Sequence, residues 1–502
     1  MADPGMSTGA RTMLIVDGIH LPEPSDKRVV VWQGQRLLWI GRDATDAPPV
    51  DEVIEMPGAW ATPGFVDAHV HATSTGLALD GLDLTGTRDA AEVIDRLRGF
   101  AARRDDDPIV GTGWEEQAWP DPVPPSSAQI AAAAPGRRVV LNRIDGHSCL
   151  VDPVTLAAVA GATPDGIDRD AGHRPTGWVR ERAAEVARRT IWERLPTRRL
   201  QRARHAAAEH AAALGITSLH EMGHPGLSSL DDARAWAQGR WPVEMLVWWA
   251  DIDPAVALRH GLRPGGDLFL DGAIGSRTAA VSGGYRDGPA LGELFHDDAQ
   301  VADFFVRCTR EGVGGGVHAI GDDAIEQALR ALEAAAAELG ADRVRDCRHR
   351  LEHVELARPD HAGRMARLGV VASVQPAFDD LWGGETGLYA RRFGRDVALA
   401  SNPLDAFVAA GCALAFSSDA PVTPMAPWAG VVAATAHRGG HGVDFATAVR
   451  AATLGGHRAA HQDDVGPLRA GHRADLAVWD GDPYATQAAR ICLRTISRGQ
   501  IT

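Results

Sequence analysis

Two histidines two residues apart, His69 and His71 in the run PGFVDAHVH, are a pair that could grip one metal ion. In an extended chain the period of two turns both imidazoles to the same face. A lone pair of this kind arises easily by chance and gains meaning only from its position. Three more residues of ligand type close apolar runs of their own: His318 in GGVHAIG, His353 in RHRLEHV and Asp419 in LAFSSDAP. Singly, each has an ordinary structural explanation: a cap before GDDA, a satisfied core histidine, a turn residue before Ala420 and Pro421. Together, five nitrogen and oxygen donors at the ends of four such runs describe a site for a divalent first-row ion, zinc foremost, one or two per chain.

The elements that must position these residues are eight short apolar runs: residues 61–71, 216–223, 243–251, 267–272, 315–321, 348–354, 370–376 and 414–421. Most are followed by helix-like Ala/Leu/Arg segments. Strands alternating with helices predict a parallel sheet, and eight such units predict an α/β chain folded as a (β/α)8 TIM barrel, whose active sites assemble at the C-terminal strand ends. The runs MLIVDGI, RVVVWQGQRLLWIG and DEVIEMPG before the barrel, and ADLAVWDGDP and ICLRTISRGQIT after it, read as strands, with QGQ as a hairpin turn. They predict a small β-sandwich domain built from residues 1–58 and 457–502, flanking a catalytic barrel over 59–456. The stretch of about 74–215 is too long for an ordinary connection of about 4–6 residues and must be an insertion with its own structure. Removing it leaves about 250 residues, the usual size of such a barrel.

The composition narrows the function. Of 502 residues, 51 are basic and 66 acidic, a net charge of −15 that argues against nucleic acid as partner. Residues Met1 to Leu14 lack a basic stretch followed by a long apolar one, and no apolar run reaches membrane-spanning length. The expectation is a cytoplasmic enzyme acting on a small molecule, with self-association left open. Five widely spaced cysteines without a CxxC pair suggest neither a disulfide framework nor a thiolate metal site. Lysine occurs once, as Lys27.

The motifs PGFVDAHVH, DGHSCLVD, GITSLHEMG, DGAIGSRTA, HAIGDDA, RLEHV, SSDAPV and GPLRAGHRADLAVWDGDP resemble the amidohydrolase 3 branch of the amidohydrolase superfamily along essentially the whole chain. The resemblance implies that His69, His71 and Asp419 hold one metal, that His318 and His353 hold a second, and that Asp419 is also the catalytic base. Metal of this kind lowers the pKa of water from 15.7 towards about 7 and polarises the carbonyl under attack. It further implies that His147 of DGHS reaches from the insertion to a substrate carbonyl or developing oxyanion, a turn-stabilising histidine being the alternative. Arg277 of GSRTA is a candidate for a substrate carboxylate, or else a tie within its own loop. Trp114, with Trp119, lies where the family carries a lid and is a candidate apolar wall for substrate.

One departure matters. Relatives open the fourth strand with a lysine that bridges two metals once carboxylated, whereas this chain has Asp267 there, and its single lysine falls in the β domain. No carboxylated lysine is therefore expected. Asp267, Asp271 or Glu221 must substitute as a bridge, or the site holds one metal, and Gly265, Gly266 and Gly272 would let the shorter carboxylate approach. The expected reaction is metal-assisted hydrolysis of a C–N bond, of amide or N-formyl type, in a small, partly apolar molecule. The alternatives are deamination of a cyclic amidine and a non-catalytic binding or assembly role.

Overall fold

The computed structural model describes residues 10–502 apart from 22, 106, 164 and 289, so the first nine residues of the expected β domain, and most of the Met1 to Leu14 stretch, lie outside the described residues. Short, fully buried strands alternate with helices over most of the chain. The strands Phe65–Val70, Ile216–Gly223, Glu244–Trp249 and Arg263–Pro264 pair in that order, all parallel. Gly316–Ala319, Arg350–His353, Val371–Val374 and Ala413–Phe416 form a second parallel set of four. The two sets meet at two seams, through parallel bridges from Phe269 to His318 and from Val70 to Ala420. At the second seam Asp419 N–H donates to His69 O and His71 N–H to Ala420 O, both at 2.9 Å. Backbone pairing thus brings the HxH strand beside the Asp419 turn.

The fourth position departs from a simple strand. Strand pairing to Glu244–Trp249 stops at Pro264, and Gly265 (φ 74°) and Gly266 (φ 79°) turn the chain through left-handed conformations. A Cβ at Gly265 would overlap Gly316 O. Only glycine allows this approach, and beyond the kink the chain pairs with Gly316–Ala319 instead: Gly266 N–H donates to Gly316 O, His318 N–H to Leu268 O and Leu270 N–H to His318 O, which sets Asp267 at the mouth within the run expected over 267–272.

The helices bury one stripe each. Asp298–Glu311 starts with a reciprocal cap between Asp297 and Gln300 and stops at Gly312 in the left-handed region. Its buried Val301, Phe304, Phe305 and Cys308 follow helical spacing and face the barrel core. Each fully buried phenylalanine contributes about 1.5–3 kcal/mol.

Strands from both termini form one seven-stranded sheet, hydrogen-bonded continuously. The C-terminal Leu476–Trp479 pairs antiparallel with Glu52–Pro63, which itself runs parallel to Arg11–Ile19. Glu52–Pro63 joins the two terminal pieces and runs on past residue 58, and the sheet's far strand, Arg36–Gly41, hydrogen-bonds back to residues 471–474 just before Leu476–Trp479. The insertion has its own six-stranded sheet, within residues 82–180, and its own apolar cores. No helix among the described residues is long and apolar enough to cross a membrane.

Candidate metal centre

His69, His71, Asp267, His318, His353 and Asp419 come together at one end of the barrel, all of them buried. Their ligand atoms form three overlapping groups, each within 4.8 Å: His69, His353 and Asp419; His69, His71 and Asp267; Asp267, His318 and His353. Asp267 belongs to two of them. Its Oδ1 lies 3.2 Å from His318 Nδ1 and 3.6 Å from His353 Nε2, and its Oδ2 lies 3.4 Å from His71 Nε2. Asp419 Oδ1 is 3.5 Å from His69 Nε2 and 3.4 Å from His71 Nε2.

Three imidazoles are oriented from behind. His69 Nδ1 lies 2.9 Å from Glu352 Oε2, His71 Nδ1 3.0 Å from Met222 O, and His353 Nδ1 2.9 Å from Gln375 Oε1. Each pairing sets the Nδ1–H tautomer and leaves Nε2 as a free lone pair facing the cluster. His69 Nε2, His353 Nε2 and Asp419 Oδ1 are sealed from solvent yet have no hydrogen-bond partner. Buried unpaired groups cost about 1–3 kcal/mol each. Three of them converging beside a second carboxylate fit a divalent cation in chemistry as well as position.

Electrostatics agree. Burial alone would raise the Asp267 carboxyl, but the imidazoles of His318, His353, His71 and His69 packed around it outweigh that and hold the group well below the usual range. Asp419 is likewise lowered against its burial, by His69, His71 and His353. Both are therefore anionic at neutral pH.

Behind the cluster the barrel centre is charged rather than apolar. Arg350, 1% exposed, donates to Glu352, to Ser373 Oγ at 2.9 Å and to Ala68 O. This holds Glu352 ionised against its burial, so that it can accept from His69. Neither Glu352 nor Gln375 was singled out from sequence. Strand alternation would send Glu352 and His353 to opposite faces, but the backbone turns to φ 71° at His353 and both reach the cluster. Asp67 is a further unforeseen part: it accepts from Ser418 N–H at 2.9 Å and from Ser418 Oγ, pinning the residue before Asp419, itself held at φ 56°.

Other candidates fare differently. Asp271 accepts from Ala280, Ile320 and Gly321 N–H at 2.8, 3.0 and 2.8 Å, so both its oxygens are committed to backbone, and of the two aspartates Asp267 is the one within the ligand groups. Glu221 accepts from Ala72 N–H at 2.5 Å and lies outside the three groups. Burial pushes its carboxyl up to about 8. Arg277 is bound in fork geometry to Asp287, at 3.0 and 2.8 Å, and does not line the cavity. Trp114 is fully buried in the insertion's core, its Nε1 donating to Leu141 O, so it is no substrate wall. Trp192 and Trp382 line the cavity instead. His147 does line it, with Nδ1 3.1 Å from Glu181 Oε2 and its ring stacked on Phe269. Burial would lower the imidazole, but the Glu181 carboxylate prevails and brings it to about 9. Lys27 pairs with Asp26 in the terminal sheet, away from the barrel mouth.

An eight-stranded parallel framework with histidines and aspartates gathered at the strand ends is the arrangement on which barrel enzymes build their active sites. Residues 52–502 match the Amidohydrolase family, and the chain belongs to it. It is 27% identical over 493 residues to the putative amidohydrolase YtcJ of Bacillus subtilis, covering 90% of each chain. It is also 25% identical over 509 residues to the N-substituted formamide deformylase of Arthrobacter pascens, covering 91% of this chain and 90% of that one. Among solved structures, an uncharacterised metal-dependent hydrolase of Pyrococcus horikoshii superposes with a TM-score of 0.75 at 23% identity, over 94% of this chain and 98% of that one.

Proposed function

We propose that this chain hydrolyses a C–N bond, of amide or N-formyl type, in a small and partly apolar molecule, using a divalent metal held by His69, His71, His318, His353 and Asp419 with Asp267 between them. The observation that carries the reading is the convergence of His69 Nε2, His353 Nε2 and Asp419 Oδ1, all buried and unpartnered, on Asp267. Bound there, the metal supplies a water molecule acidic enough to attack at neutral pH and polarises the substrate carbonyl. Asp419 takes the attacking water's proton and returns it to the leaving nitrogen, which departs poorly without one. His147, held by Glu181, donates to the oxygen on which negative charge develops. The bond type is supported by the full-length likeness to a formamide deformylase and by the apolar character of the cavity walls above the cluster.

The test is elemental analysis of the purified protein, then a screen of N-formyl and N-acyl amines in which amine, carboxylate and ammonia are each followed. Amine and carboxylate in equal amounts support the proposal. Ammonia alone would establish the deaminase reading, and metal-free protein that stays inactive when supplied with zinc or manganese would leave only a binding role.

A further inference from the structure

Above the metal cluster the cavity carries two arginines of different standing. Arg143 is neutralised by Glu116 and Asp145, at 2.8 Å each. Arg188 forms no ion pair among the described residues: its Nε donates to Gly226 O at 3.2 Å and its Nη1 to Gly146 O at 2.6 Å. Among the described residues its Nη2 has no partner, and it is not sealed from solvent. Two backbone carbonyls thus fix the guanidinium while one edge stays free, next to the segment that carries His147.

Arg188 lies on the helix Glu181–Trp192, and it lines the cavity with Ile191 and Trp192 at helical spacings of three and four and with Leu195 just past the helix end. Leu77, Val110 and Val140 complete an apolar sleeve around it. An aligned arginine in apolar surroundings is a recognition element for a carboxylate, because the pair forms charge-assisted hydrogen bonds where little water competes.

Resting on the hydrolase reading above, we propose that Arg188 is the specificity-determining residue of the cavity and that the substrate is an apolar molecule bearing a carboxylate, such as an N-acyl or N-formyl derivative of an apolar amino acid. The role expected of Arg277 falls to Arg188, whose charge is uncommitted. The cavity's acids could favour the opposite charge. Asp145 is spent on Arg143 and Ser276, and Glu355 on Tyr389, but Glu115 lines the cavity without a partner among the described residues.

Calorimetry on the metal-loaded protein distinguishes these outcomes, with 4-phenylbutyrate, its neutral amide and 4-phenylbutylamine as probes of matched shape. Wild type should bind the carboxylate about 10–100-fold more tightly than the amide, as expected of a charged hydrogen-bonded pair. Arg188→Met should abolish that preference while leaving amide affinity and metal content unchanged, and Arg188→Lys should keep part of it. A preference that survives in Arg188→Met places the carboxylate on the metal and overturns the proposal, as does the absence of any preference in wild type. Tightest binding of the amine would overturn it in favour of Glu115. Because these are binding measurements, carboxylate selectivity in a protein that cleaves no N-formyl or N-acyl amine would sink the hydrolase reading and spare this one.

Discussion

His69 Nδ1 donates to Glu352 Oε2 across 2.9 Å, with both side chains cut off from solvent. The carboxylate turns the imidazole's lone pair towards the cluster, and Arg350 in turn keeps the carboxylate ionised. Glu352→Gln preserves shape and one acceptor but removes the charge. Metal affinity measured against a competing chelator should fall about 10–100-fold, the usual cost of losing such an orienting partner. Wild-type affinity in this variant would mean that His69 is not a ligand.

Asp267 and Asp271 lie four residues apart, and both are buried. Asp267→Asn should cost metal, because the amide nitrogen presents a donor where a ligand oxygen is needed, while the fold survives. Asp271→Asn should keep metal content but lower stability by about 1–3 kcal/mol, since it weakens acceptance from three backbone N–H groups. Elemental analysis and denaturant unfolding of both variants separate the roles, and the reverse pattern would exchange them. Lys27→Arg should change neither quantity.

How far the sequence revealed this arrangement varies by residue. His69, His71, His318, His353 and Asp419 were legible because each closes a buried apolar run, and a parallel barrel must gather strand ends at one mouth. Which aspartate faces the cluster was not, because Asp267 and Asp271 share one short segment and only the kink at Gly265 and Gly266 shows which of them turns inward. Trp114 misled because an aromatic residue in an insertion looks the same whether it fills a core or walls a cavity. For Arg277, the deciding partner is Asp287, ten residues along a loop whose path no periodicity encodes. Arg188 escaped notice among the insertion's many arginines, since which face of its helix meets the barrel depends on packing between distant segments. The terminal sheet was readable strand by strand, but not its continuity through Glu52–Pro63.

Asp419→Asn tests the proton transfer. The side chain keeps its size and one oxygen, but an amide cannot accept the water's proton. At metal concentrations that saturate the variant, kcat should fall about 10²–10⁴-fold with KM little changed, the pattern of an interaction made only in the transition state. Assaying at saturation matters because Asp419 also faces His69 and His71 and its loss weakens metal binding. A decline that added metal fully restores would leave Asp419 as a ligand alone.

The junction between barrel and terminal sheet sets an acid limit. Glu244, on the third barrel strand, accepts from Arg473 Nη1 and Nη2 at 2.7 Å each and from Gln462 at 2.9 Å, and Arg473 also pairs with Asp475. Burial would raise the Glu244 carboxyl, but its hydrogen bonds with Arg473 prevail and the folded-state value lies below the ordinary 4.5. A group lowered in the folded state contributes stability that is fully present above its unfolded pKa and is lost as pH falls through the folded one. The contribution is therefore intact at pH 7 and fades below about 4.5. Glu244→Gln should lower Tm at pH 7, where Arg473 loses a partly buried counter-charge, and the gap from wild type should narrow as pH falls below about 4.5. Thermal melts of both proteins from pH 7 to pH 3.5 measure this. A gap that is constant across the range would mean that the pair contributes packing rather than charge.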